Sequence, residues 1–255
     1  MDAAPPILEN ETPLGYNERA VSLGGYETML KELLDMLRAK SPLRDMLNEF
    51  TQMIEKTEWM FDASIKVLLH SRPTQEVEKE IYSKDKEVNE HQRSIRRKII
   101  RHLTFQPRAD VPACLVLMSV VKDAERVGDY CKNLFELATM FDIPLDRGRY
   151  KTPLKDLAEQ VENLFSKTRK AFQWSDEEMA HSIIAKSEAI NDQCDMLIRQ
   201  LITDNLPTKK AVAYTLLARY IKRVASHLNN IATSVVTSVD NLDFSDESKD
   251  PHEQE

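Results

Sequence analysis

Apolar residues recur every three to four positions along most of this 255-residue chain, the period of helices that turn one face inward. Prolines cut the pattern into pieces. Pro42, Pro73, Pro107, Pro112, Pro144, Pro153 and Pro207 all fall between amphipathic stretches, where a missing N–H and a fixed φ do least harm. The pattern predicts seven helices, near 18–40, 43–71, 75–104, 111–141, 153–173, 176–205 and 208–239. Ser175 followed by Glu178 reads as a capping box for the sixth.

The pattern also repeats. Residues 113–138, ACLVLMSVVKDAERVGDYCKNLFELA, align with 210–235, KAVAYTLLARYIKRVASHLNNIATSV. With Val127 on Val224, Arg126 falls on Arg223 and Asn133 on Asn230, while Glu125 becomes Lys222 and Asp129 becomes Ser226. Upstream, SKDKEVNEHQRSIRRKII (83–100) aligns with AKSEAINDQCDMLIRQLI (185–202), placing Val88 on Ile190, Asn89 on Asn191, Ile95 on Leu197 and Ile99 on Leu201. A further amphipathic helix precedes each pair. The predicted architecture is therefore all-α: two tandem antiparallel three-helix bundles, at 43–141 and 153–239, joined by a linker at 142–152. An extra N-terminal helix at 18–42 has no counterpart. Residues 1–17 and the acidic tail 240–255 are expected to be disordered.

Composition narrows the functional classes. Charged residues make up 30% of the chain, hydrophobic residues 42%, and there are only 5 glycines, a profile suited to long helices. A net charge of −7 argues against a partner bound through nucleic-acid phosphates. Cys114, Cys131 and Cys194 each lie inside a helical pattern and read as small buried hydrophobes of a reducing cytosol rather than as zinc ligands. The opening MDAAPPILENE is acidic and proline-rich, unlike a signal peptide. The longest apolar run, Val111 to Val121, is interrupted by Pro112 and Ser119 and is too short to span a bilayer. A cytoplasmic protein is expected, meeting the inner membrane only by docking to something there. No glycine-rich phosphate cradle, no nucleophile beside a base and no nucleophile elbow stands in the sequence, so no enzymatic activity is expected.

One helix carries the candidate chemistry. Leu117, Val121, Ala124, Gly128, Cys131, Phe135 and Ala138 form an apolar stripe, with Glu125 and Asp129 on its shoulder. Like charges four apart on a helix repel by a few tenths of a kcal/mol, and partial burial adds to the penalty, so a cation should compensate. Lys122 and Lys132 lie within a turn and are the simplest candidates. The alternative is a metal held by Glu125 and Asp129 with Asp85 and Asn89 from the preceding helix, an oxygen-rich set suited to a hard cation or iron. Spacing alone favours the lysines. Gly128, unfavourable mid-helix by about 1 kcal/mol relative to alanine, marks close helix approach. Arg93, Arg96, Arg97, Lys98 and Arg101 form a basic run that reads as a docking surface or a solvated face. His227 is expected to hydrogen-bond, Arg126 and Arg223 to fix helix register by ion pairing, and Trp59, Trp174 and the methionines to fill core.

DAERVGDYCKNLFELA (123–138), after a helix bearing DKEVN and a Pro-Arg-Ala-Asp turn at 107–110, resembles the PhoU family of phosphate-regulation proteins. That family's signature is a duplicated three-helix unit with an acidic E/D-x-x-x-D motif in each copy. Glu125, Arg126, Gly128, Asp129 and Asn133 match it in the first unit; Lys222 and Ser226 break the acidic pair in the second. The resemblance covers roughly residues 45–237. It implies a cytosolic regulator, often dimeric, that restrains phosphate uptake and phosphate-starvation signalling by contacting a phosphate transporter complex and a membrane sensor histidine kinase. It further implies iron or another divalent metal at the acidic motifs, here at the first unit only. A metal-binding helical protein, or an adaptor without a phosphate role, stands as the alternative.

Overall fold

The computed structural model describes residues 42–70, 73–105, 110–141, 148–238 and Leu242. The predicted helix at 18–40, the segment 1–17, most of the linker and nearly all of the tail lie outside these residues. Six α-helices and no strand occur among them: α1 (Pro42–His70), α2 (Glu78–Phe105), α3 (Val111–Met140), α4 (Lys151–Trp174), α5 (Glu177–Thr203) and α6 (Thr208–Val236), with a 3-10 turn at Thr74–Glu76 before α2.

Each group of three packs as a unit, α1 with α2 and α3, and α4 with α5 and α6. The helix ends follow local chemistry. Pro42 and Pro153 occupy first turns, where their missing N–H groups have no intrahelical partner to lose. Asp176, not Ser175, caps α5: its carboxylate accepts from the Met179 amide at 2.8 Å, joining a capping bond to a favourable charge at the positive end of the helix. Ser175 closes α4 in the left-handed conformation, φ 47°. Gly148, at φ 105°, makes the turn into α4 that a side chain would strain. Tyr150 then ties the start of α4 to the end of α5 by donating to Asp204 at 2.9 Å.

The two units meet through equivalent helices, α1 against α4 and α3 against α6. Phe50 packs on Phe172 with ring centroids 4.7 Å apart, and Phe61 on Phe165 at 5.5 Å. Rising numbers on α1 meet falling numbers on α4, so the pair is antiparallel. On α3 and α6, Tyr130 meets His227 and Tyr220, and Asp123 meets His227. In the repeat alignment His227 is the counterpart of Tyr130, and Tyr220 that of Asp123. The contact of Tyr130 with Tyr220 is thus the image of that of His227 with Asp123, which is the reciprocity of a two-fold interface. The duplicated units pack as a dimer would, within one chain.

This second contact explains why α3 buries more than one stripe. Leu117, Val121, Ala124, Gly128, Cys131 and Phe135 are buried as the periodicity requires, but so are Val116, Val120, Asp123, Val127 and Leu134 on a second face. A methyl group added to Gly128 would lie 3.4 Å from Thr57 on α1 and 3.5 Å from Val88 on α2. The close approach inferred from that glycine is real, and ordinary contact distances separate it from a clash. Not every residue at core spacing is core: Trp174, at the last position of α4, is 66% exposed, and Met140 and Met196 are also exposed, because helix ends and the outer face of α5 have no neighbour to cover them.

Candidate functional site: an acidic cluster and a basic helix face

The α2–α3 hairpin runs antiparallel and brings Asp85 to the level of Glu125 and Asp129. All three carboxylates are half-buried, on the flank of the bundle rather than in open water. Lys132 bridges two of them across the hairpin. Its ammonium lies 2.9 Å from Asp85 Oδ1 and 3.3 Å from Asp129 Oδ1. Burial opposes its charge, but the hydrogen bond and charge of Asp85, together with those of Asp129, outweigh burial and hold its pKa above the usual lysine value. Arg126 reaches Asp129 at 3.3 Å and Glu125 at 3.8 Å. Glu125 is the least compensated of the three. Burial, and then the charge of Asp129, push its pKa up against the pull of Arg126 and Arg96.

Tested for a metal, the donor set does not fit: Lys132 already bridges Asp85 and Asp129, and among the described residues no group of three or more His, Cys, Asp or Glu side chains is arranged to hold one. Asn89, one turn beyond Asp85 on α2, is half-buried and makes no hydrogen bond to these carboxylates. The second unit solves the same problem with the signs exchanged. Lys222, at the position of Glu125, bonds Asp195 of α5 at 2.6 Å. Ser226, at the position of Asp129, donates to the Lys222 carbonyl at 3.0 Å and to Asn191 at 3.4 Å.

The basic run on α2 divides by burial. Arg93, Arg97 and Arg101 are exposed along one face, and none is in an ion pair among the described residues. Arg96 is half-buried within the field of Glu125, and Lys98 is held by Glu49 at 2.8 Å. Beside the three free arginines stand Ile100, 63% exposed, Phe105, 78% exposed, and Leu115, 48% exposed. The corresponding face of the second unit has Asp195, Arg199 and Thr203 in place of the three arginines.

Protein-family comparison matches the PhoU domain twice, over residues 50–138 and 154–235. The chain belongs to the PhoU family. A PhoU homologue of Deinococcus radiodurans, described as a phosphate-specific transport system accessory protein, is 25% identical over 205 residues, which is 77% of this chain and 93% of that one. A homologue of the same description from Caulobacter vibrioides is 30% identical over 95 residues, spanning 36% of this chain and 41% of the relative. The crystal structure of PhoU from Pseudomonas aeruginosa superimposes with a TM-score of 0.70 at 20% identity, covering 76% of this chain and 95% of that one. That of the phosphate transport system regulatory protein PhoU from Streptococcus pneumoniae gives 0.60 at 19% identity. The two structures share the PhoU fold of tandem helical bundles with this chain.

Within that PhoU scaffold the first acidic motif is intact and the second is replaced by the Lys222–Asp195 pair. Arg126 makes its ion pairs within its own helix. Its counterpart Arg223 makes none among the described residues, instead donating to the Tyr130 hydroxyl at 3.1 Å and lying over that ring. A further polar cluster joins residues that no single motif in the sequence connects. Asp123, 1% exposed, accepts from Asn230 at 3.0 Å and pairs with His227 Nδ1 at 2.8 Å, joining the two units at their centre. Its signal was present: Val116, Val120, Asp123, Val127 and Leu134 keep helical spacing, a second stripe with one carboxylate in it. The three thiols are all buried, and burial raises the pKa of Cys114 to about 11 and of Cys194 to about 12, so both stay protonated and unreactive.

Proposed function

We propose that this protein is a cytoplasmic regulator of phosphate uptake and phosphate-starvation signalling, acting by reversible docking to a phosphate transporter complex, to its sensor histidine kinase, or to both. The observation that carries the reading is the pair of PhoU domains, which together span most of the chain. The relatives' descriptions as phosphate transport accessory proteins support it. No helix among the described residues is long and apolar enough to cross a membrane, so membrane association would run through a partner. The docking face in this reading is α2, where Arg93, Arg97 and Arg101 stand exposed beside Ile100 and Phe105. An acidic cytosolic surface with an apolar centre is the complement such a face requires. Regulation is by binding rather than by catalysis, and self-association into a homodimer is proposed on the family resemblance alone.

In the same reading Lys132 serves as the resident counter-ion of Asp85 and Asp129. Iron or another divalent cation would enter the first-unit cluster only by displacing that ammonium, and the second unit offers no acidic pair.

Sedimentation with membranes tests the docking step. Membranes from cells that express the phosphate transporter should retain the protein, membranes from transporter-deleted cells should not, and Arg97→Glu with Arg101→Glu should reduce retention at least fivefold. Equal retention by both membranes would refute docking to the transporter.

A further inference from the structure

The exposed basic face of α2 belongs to a chain of net charge −7. Residues 91–105 carry four arginines and one lysine and no carboxylate. Residues 243–255 are their inverse, with six carboxylates, one lysine and one large apolar side chain, Phe244. The fold brings the start of one to the end of the other. Because Asp123 meets His227 and Asn230, and Tyr130 meets Arg223, α6 runs antiparallel to α3, and its last turn lies alongside the first turns of α3. That end of α3 is also where α2 finishes, since His102 pairs with Asp110 at 3.1 Å. The chain leaves α6 at the tip of the molecule that holds Arg97, Ile100, Arg101 and Phe105.

Leu242 is 8% exposed and joins the apolar core, which anchors the chain six residues past Val236. Thirteen residues follow it, a reach of about 40 Å when extended. From α6 to α2 across α3 is two helix spacings of about 8–10 Å each. Charge directs which way the tail turns. The Lys222–Asp195 and Ser187–Ala225 contacts make α5 antiparallel to α6, so Asp176, Glu177 and Glu178 at the start of α5 flank the exit on one side and repel a tail of the same sign. The arginines of α2 stand on the other.

We propose that residues 243–255 fold back over the exposed face of α2 of the same chain, their carboxylates on Arg93, Arg97 and Arg101, with Phe244 placed to cover the bare apolar side chains beside them. The consequence, that a partner must displace the tail to dock, rests on the docking reading above; the contact itself does not.

The test uses the contact alone. A fluorescein-labelled peptide of residues 243–255 is titrated by anisotropy into four proteins: the full chain, the chain ending at Leu242, and each of these with Arg97→Glu and Arg101→Glu, all checked for native helicity and melting temperature. The peptide should bind the shortened chain, at least fivefold more weakly at 0.5 M salt. It should bind the intact full chain at least fivefold more weakly than the shortened one, because the tail in cis competes, and neither charge-reversed protein should bind it. Absence of binding to the shortened chain, equal binding to the intact full chain, or binding insensitive to the reversals would overturn the proposal. So would equal binding of phosphatidylglycerol vesicles by shortened and full chains, which would assign the face to a membrane surface. If the peptide binds as expected while membranes ignore the transporter, the contact stands and the docking reading falls.

Discussion

Glu125 carries its charge at a disadvantage. Burial and the neighbouring Asp129 raise its pKa above the usual glutamate value. Its neutral form is therefore favoured more by the folded than by the unfolded chain, and the stability it contributes is full at low pH and lost as pH rises through the unfolded and then the folded value. Glu125→Gln should stabilise the protein at pH 7 by about 0.5 kcal/mol, and the gain should vanish below the ordinary glutamate range. Urea unfolding of both proteins across pH 3.5 to 8, with and without EDTA, measures this. A variant less stable than wild type at pH 7 would contradict the account, and stability sensitive to EDTA would restore a metal to the cluster. The proximity of Asp85, Glu125 and Asp129 was legible from the four-residue spacing on α3 and from the short hairpin to α2. What spacing could not decide was which lysine bridges the two helices, because Lys122 and Lys132 lie equally close in the chain. Only the side chain's path across to α2 selects Lys132.

Periodicity located the helices well and the surfaces between them less well. A stripe of apolar positions says that a face is buried, not what covers it. On α3 the stripe through Gly128 packs within its unit, while the stripe through Val127 and Asp123 packs against α6. Spacing reveals the first stripe and hides the second, because a lone aspartate in an apolar row resembles an interruption rather than a partner. Asp123 is instead the polar centre of the contact between units, and its partners His227 and Asn230 come from the other repeat, more than 100 positions away. Asp123→Ala removes both bonds and leaves two half-buried polar groups unmatched. It should destabilise the chain by about 3 kcal/mol, measured as a lower urea midpoint with the m-value preserved. A loss below about 1 kcal/mol would mean that the α3–α6 contact is held by apolar packing alone. The cap of α5 is of the same kind: serine and aspartate both cap helices, and one residue of register decides for Asp176 over Ser175.

The whole molecule is a duplication folded on itself. Its units keep a common core and meet with the reciprocity of a two-fold pair, yet their outer faces have diverged in charge. The first unit bears three exposed arginines on α2, none in an ion pair among the described residues; the second bears Asp195, Arg199 and Thr203 at the same positions, with Asp195 engaged by Lys222. A protein that docked through both units alike would have no need of that difference, so the proposed docking contact falls on one face of one unit. The account is tested most directly by phosphate uptake in phosphate-replete cells that lack this chain. Uptake of labelled phosphate should stay high when external phosphate is plentiful, and phosphate-starvation genes should remain switched on. Both should return to normal with the wild-type chain and fail to do so with the folded Arg97→Glu, Arg101→Glu variant. Uptake and transcription that are unchanged by the deletion would contradict a role in phosphate regulation altogether.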